Sequence, residues 1–335
     1  MKRAGIVGYG AIGPIHARAF ENNENIDAKL VAVCDTDRLR ADTASEKHNV
    51  KAFYDYDEML HSGMIDSVHI CTPHYLHKDM AVKALMLGLD VVLEKPAAIN
   101  ITEFEQLLSV KRKSSGRVCV MFQNRTNRCI EQLIILISDK EASGRLKTVN
   151  AHMTWQRDEK YYRSGEWRGK WATEGGGLLI NQAVHLIDLM GYLNGGISAV
   201  SGTIANRSLN GIIEVEDTAD AVFEFKNGLR GCFYATNASA CSIPVQLEVH
   251  CEKALYRYAD NTLYKITDGS FDGVICTDAA ASSGKLVWGS GHKSVISSFY
   301  NGGKYTSLEE AENSTRALFA FYESAKRGGA SIVVD

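Results

Sequence analysis

Residues 174–188 read EGGGLLINQAVHLID, a histidine four residues after an asparagine and three before an aspartate in an otherwise largely apolar stretch. On a helix over 177–193, Asn181, His185 and Asp188 fall at i, i+4 and i+7 and form one polar stripe. Apolar residues clothe the remaining faces, so the helix is buried, and its stripe is either satisfied by core partners or faces a wet cleft. In a cleft, the His185 imidazole can take a proton from a bound hydroxyl. Asparagine accepts no proton at neutral pH, so Asn181 is expected to orient the substrate or the imidazole, and Asp188 to fix the helix or His185. The three glycines ahead let the backbone approach closely and leave the helix N-terminus facing an anion or a ring.

A second reactive group stands in DVVLEKPAA, 90–98, where a strand ends in Glu94, Lys95 and Pro96. Proline cannot continue a central ladder, and a cis peptide before it is a plausible device for aiming Lys95. CTPHYLH, 71–77, repeats the design, with Thr72, Pro73 and His74 at a strand end.

The elements that position these groups follow a β–α–β rhythm. Apolar runs at 4–8, 29–35, 66–72, 90–94 and 117–122 alternate with helix-length amphipathic segments, which predicts a parallel, doubly wound sheet. Between the first run and its helix lies Gly8-Tyr9-Gly10-Ala11-Ile12-Gly13, a G-x-G-x-x-G turn. One glycine serves the tight turn, one the backbone's approach to a pyrophosphate, and one close helix packing. Asp35 ends the second run, where a carboxylate can hold a ribose 2′-hydroxyl and repel a 2′-phosphate. NAD is therefore expected in preference to NADP, although Arg38 and Arg40 can soften that choice. The ligand-lining residues are expected to be Gly8, Tyr9, Gly10, Ala11, Ile12, Gly13, Asp35, Thr72, Pro73, His74, Glu94 and Lys95.

Length supports this two-part plan. At 335 residues the chain exceeds the usual single core. After residue 122 the rhythm changes to alternating strands at 145–156, 197–206, 217–226, 229–238 and 243–251, with Asn227-Gly228 as a hairpin signal. We expect a nucleotide-binding domain over 1–122 and an α+β substrate and assembly domain with an open, mostly antiparallel sheet over 123–335. A C-terminal helix is expected over 307–329, stopped by Gly328 and Gly329.

A formal net charge of −3 gives no reason to seek nucleic acid or an anionic membrane, and no run approaches a membrane span. Eight cysteines without metal-type spacing suggest reduced thiols in a cytoplasmic protein and no metal site. A small-molecule partner remains. Between 156 and 177 lies QRDEKYYRSGEWRGKWATEGGG, in which Tyr162, Arg163, Trp167 and Arg168 are candidates for the substrate, with Arg125 of similar standing. Subunit contacts or internal packing compete evenly with that reading. The loop WGSGH, 288–292, has no assigned role, and His292 is expected to be solvated.

The glycine motif, Asp35, EKP at 94–96 and the glycine-rich turn leading to His185 and Asp188 resemble the Gfo/Idh/MocA oxidoreductases over nearly the whole chain. The resemblance implies an NAD(P)-dependent dehydrogenase or reductase of sugars and polyols, assembled as dimers or tetramers through its second sheet. It also implies that Lys95 sits beside the nicotinamide and the reacting hydroxyl. Family members often carry aspartate where this chain has Asn181, which leaves His185 as the expected base. Two alternatives share the fold: a glycosidase or lyase that oxidises its sugar transiently, and a non-catalytic NAD-binding regulator. The substrate, the direction in the cell and the oligomer count are not encoded in readable form.

Overall fold

The computed structural model describes residues 1–21, 25–278 and 291–335. The chain divides into two compact units, one of 1–122 with 292–311 and one of 123–291 with 312–335.

The first unit is built on six parallel strands, β1 (Lys2–Val7), β2 (Ala28–Cys34), β3 (Lys51–Phe53), β4 (Ser67–Ile70), β5 (Asp90–Leu93) and β6 (Val118–Val120). Their order is β3-β2-β1-β4-β5-β6, the doubly wound arrangement in which the order reverses at β1 and β4. The strands are Val- and Ile-rich because helices cover both faces. The three-residue β3 lies outside the predicted strands.

The domain expectation needs one correction. Residues 292–311 return to the first unit, where the helix His292–Tyr300 packs Val295, Ile296 and Phe299 against Val92, Cys119 and Met121. The Arg117 guanidinium lies 4.4 Å from the Phe299 ring centroid.

Among the described residues the second unit carries nine strands, β7 (Leu146–Thr154), β8 (Ile197–Ala205), β9 (Thr218–Phe225), β10 (Arg230–Thr236), β11 (Gln246–Cys251), β12 (Leu255–Ala259), β13 (Thr262–Thr267), β14 (Ser270–Thr277) and β15 (Ile332–Val333). The order is β14-β13-β12-β11-β7-β10-β9-β8-β15; β7 and β10 run parallel and the other pairs antiparallel. Along β10, Gly231, Phe233 and Ala235 are buried while Arg230, Cys232 and Tyr234 are exposed, so one face is packed and the other open. The packed face receives the C-terminal helix Glu312–Lys326, whose Phe321 meets Phe223 and Phe233 edge to face at 5.9 and 5.8 Å.

Candidate active site

In the first unit, the glycine loop is shaped by close approach. Gly8 has φ +85°, and a Cβ on it would lie 2.8 Å from the Cys71 backbone; at Gly13 one would lie 2.4 Å from the Gly8 carbonyl oxygen. Gly10 has nothing within 4 Å and leaves its backbone open to a ligand. Asp35, at the end of β2, accepts Tyr9 N–H at 2.7 Å and Asp37 N–H at 2.9 Å, so it also ties the loop in place. Each oxygen retains a further lone pair for a ribose hydroxyl. The Tyr9 hydroxyl lies 2.5 Å from His48 Nε2. This open glycine backbone and fixed carboxylate fit a dinucleotide.

Lys95 follows β5 and is joined to Pro96 by a cis peptide, and Glu94 Oε2 accepts the Lys95 backbone N–H at 3.2 Å. Glu94 is 6% exposed, and it terminates a buried polar chain that local sequence patterns do not reveal. Its Oε1 lies 3.0 Å from His16 Nε2 and 3.6 Å from His292 Nε2. His16 Nδ1 lies 2.9 Å from His69 Nδ1, His69 Nε2 is 2.8 Å from the Tyr300 hydroxyl, and that oxygen is 2.7 Å from Ser67 Oγ. One tautomer set satisfies the chain. His16 donates to ionised Glu94, His69 donates to His16, Tyr300 donates to His69 and Ser67 donates to Tyr300.

Burial opposes the Glu94 charge, but the hydrogen bonds from His16 and His292 prevail and hold its pKa well below the usual carboxylate range. Burial lowers His16 despite Glu94, and lowers His69 further. His292, expected in solvent, is thus a buried partner of Glu94. The remainder of WGSGH, residues 288–290, lies outside the described residues. The His16, Glu94 and His292 ligating atoms lie within 4.8 Å of one another, close enough to hold a metal ion, although 78 and 198 residues separate successive members and no sequence spacing could reveal it.

His74 is buried beside His77, whose ring bonds the Thr72 and Pro96 carbonyls at 2.8 and 2.7 Å and so braces both X-Pro corners. Burial lowers the His77 pKa against those two bonds. With His16 and His69 kept neutral, acid should weaken the fold. Below the unfolded value of about 6.5 the unfolded chain takes up protons that the folded chain refuses. Each imidazole then removes up to about 1.4 kcal/mol per pH unit. Glu216, pushed up to about 7 by burial, acts in the opposite sense between its ordinary value and 7, one group against two. The urea midpoint is expected to be lower at pH 5.5 than at 7.5, with a smaller difference in His69→Gln. Equal midpoints would contradict the neutral-histidine account.

In the second unit, the helix of the opening motif begins with a π turn, Leu179–Ala183, and continues as the helix Val184–Leu193. From Glu174 to Gly191 every residue is buried except Asn181 and His185, which are half-buried. Asp188 leaves the stripe for the core. It receives Arg125 Nε and Nη2 at 2.8 and 2.6 Å and the Ser314 hydroxyl at 2.7 Å. Arg125 thus braces this helix through the structural salt bridge weighed evenly against a substrate role, with its guanidinium 4.4 Å from the Tyr192 ring centroid.

The expected open helix N-terminus is also corrected. Buried Glu216 accepts Gly177 N–H and Leu179 N–H at 3.0 and 2.9 Å, and the Tyr322 hydroxyl at 2.9 Å. The glycines make room for the neighbouring chain: a Cβ on Gly177 would lie 2.1 Å from the Glu216 backbone carbonyl oxygen, and one on Gly176 2.0 Å from the Tyr322 hydroxyl.

The loop residues divide between the two evenly weighed readings. Tyr162 is buried with Leu209, Ile213 and Val215, and its hydroxyl accepts from Asn237, so it is a core residue. Arg163 is exposed and pairs with Glu159 one turn away. Tyr161, which sequence reasoning missed, is the hub. Its hydroxyl accepts Arg168 Nη1 at 2.7 Å, Gln182 Nε2 at 3.1 Å and Asn181 Nδ2 at 3.5 Å. Asn181 Nδ2 also donates to buried Glu174 at 2.5 Å. Trp167 stacks under Arg168 at 4.4 Å. Among the described residues, no helix is long and apolar enough to cross a membrane.

Residues 2–122 match the family model of the oxidoreductase family with an NAD-binding Rossmann fold, and residues 136–257 match the GFO/IDH/MocA C-terminal domain. Glucose-6-phosphate 3-dehydrogenase of Bacillus subtilis is 26% identical over 80% of this chain and 78% of its own. Myo-inositol 2-dehydrogenase of Thermotoga maritima is 26% identical over 81% and 79%. The crystal structure of the WlbA dehydrogenase from Bordetella pertussis, in complex with NADH and UDP-GlcNAcA, superposes with a TM-score of 0.84 at 26% identity, covering 100% of this chain and 99% of that one. With both domain models matched in order and a cofactor loop that fits, the chain belongs to the Gfo/Idh/MocA family and is an NAD-dependent oxidoreductase.

Proposed function

We propose that the protein oxidises a secondary hydroxyl of a sugar, polyol or sugar derivative, or reduces the matching ketone, with the first unit binding NAD and the second supplying substrate groups. His185 accepts the hydroxyl proton, and the Lys95 ammonium stabilises the alkoxide that develops as the proton leaves. Bound NAD supplies the hydride acceptor at nicotinamide C4. Asn181, held by Glu174, positions the substrate rather than titrating. The observation that carries this reading is the exposure pattern of 174–191, where a buried segment keeps only Asn181 and His185 accessible. The named substrates of two relatives, glucose 6-phosphate and myo-inositol, support the sugar and polyol class.

Eight free cysteines, with Cys232 and Cys241 exposed, suit a reducing cytoplasm. The open face of the second sheet, bearing His152 stacked on Tyr234 at 5.5 Å, is the surface we assign to a homodimer or homotetramer. The test of function is absorbance at 340 nm across neutral sugars, inositols, sugar acids, sugar phosphates and sugar nucleotides, with NAD and NADP compared. A secondary alcohol that yields NADH more readily than NADPH is expected. Silence with every compound would overturn the proposal.

A further inference from the structure

Arg157 and Arg168 share one aromatic brace. Their guanidinium carbons lie 4.9 and 4.6 Å from the Tyr161 ring centroid, Arg157 is also 4.9 Å from Trp155, and Arg168 is 4.4 Å from Trp167. Both side chains are half-buried. Their hydrogen bonds go to neutral groups: Arg157 Nη1 donates to the Gln156 carbonyl at 2.7 Å and to Ser242 Oγ at 3.5 Å, and Arg168 Nη1 donates to the Tyr161 hydroxyl. Arg157 Nε is buried with no hydrogen-bond partner among the described residues.

The charge balance is unusual for arginines in this part of the chain. Arg163 has Glu159 and Arg125 has Asp188, yet among the described residues neither Arg157 nor Arg168 pairs with a carboxylate. Glu174, the acid beneath them in the network, is engaged by Asn181 Nδ2 and by Gly169 N–H. Two partly desolvated cations without a counter-anion are costly in a free-standing fold, and an anionic ligand offsets that cost. Stacking on Tyr161, Trp155 and Trp167 fixes the planar forks, so little side-chain entropy remains to be lost on binding. The same Tyr161 hydroxyl is bonded to Asn181, one turn from His185.

We infer that Arg157 and Arg168 form the subsite for an anionic substituent, a phosphate ester or a carboxylate, on the sugar that this enzyme binds. The inference rests on the sugar-oxidising reading and narrows it to anionic sugars. Trp155 and Tyr161 hold the guanidinium groups and are positioning residues.

The test is calorimetric binding to the full chain in the presence of NADH, which needs no turnover. Glucose 6-phosphate and glucuronate are each compared with glucose, and inorganic phosphate is added as a competitor. A charge-assisted hydrogen bond predicts about 10- to 100-fold tighter binding of at least one anionic sugar, with phosphate competing. The tighter arm identifies phosphate or carboxylate as the source. Arg157→Gln with Arg168→Gln should bring the ratio near one while NADH affinity is unchanged, and Arg168→Lys should keep part of it. Should the double variant fail to fold, the native ratio and the phosphate competition decide. Equal binding of glucose, no binding of any sugar, or a ratio unmoved in a folded double variant would overturn the inference. Anion-selective binding without NADH formation from any alcohol would instead overturn the oxidation reading and leave the subsite standing.

Discussion

His185→Ala is expected to lower kcat by about 10²- to 10⁴-fold, the range of a positioned general base, with NAD affinity within about twofold of the parent. Lys95→Ala should cost about 10²- to 10³-fold by removing the charge proposed to stabilise the developing alkoxide. Since the proposed mechanism has both groups act on one transition state, it expects the double variant to be little slower than the worse single variant. The Lys95 backbone is held by buried Glu94, and His185 is a half-buried residue of an otherwise buried helix, so each substitution is expected to leave the frame in place. Steady-state kinetics with fluorescence titration of NADH separates the effects. Equal loss of turnover and cofactor affinity would remove these residues from the chemistry.

The second large effect is on stability. Asp188→Ala should destabilise the second unit by about 3–5 kcal/mol, because it strands the Arg125 guanidinium, 12% exposed, against the core. It also deprives the Ser314 hydroxyl of its acceptor at 2.7 Å. For a unit of this size that loss corresponds to a melting temperature lower by about 10 °C or more. Asp188→Leu combined with Arg125→Met should be less damaging than either single change, since no buried charge is left alone. Calorimetry on the set tests the claim. A loss below 1 kcal/mol in Asp188→Ala would show that the pair contributes little.

What the sequence made legible was local. The glycine loop, the acid ending β2, the Glu-Lys-Pro corner and the alternating strands of the second sheet each carry a short-range pattern that sterics dictate. Contacts assembled from distant positions were hidden. His16, His69, Glu94, His292 and Tyr300 build one buried chain from four regions of sequence, and a loop histidine is indistinguishable from a solvated one until its helix is placed. Short elements failed for a different reason. The helix Glu159–Tyr162 has one turn, too little for periodicity to show that Tyr162 faces the core and Tyr161 the arginines. The glycines of EGGG signalled close approach correctly, but their guest is Glu216, 39 residues beyond Gly177.

Hydride transfer is the central claim, and its most direct measurement follows an isotope. The best alcohol found in the 340 nm screen would be prepared with deuterium on the carbinol carbon and incubated with enzyme and NAD, and the released cofactor examined by mass spectrometry and NMR. The account predicts deuterium at nicotinamide C4 of free NADH, one per ketone formed, with formation lost in His185→Ala. Cleaved glycoside with no labelled NADH in solution would contradict it and identify transient oxidation in a hydrolase or lyase.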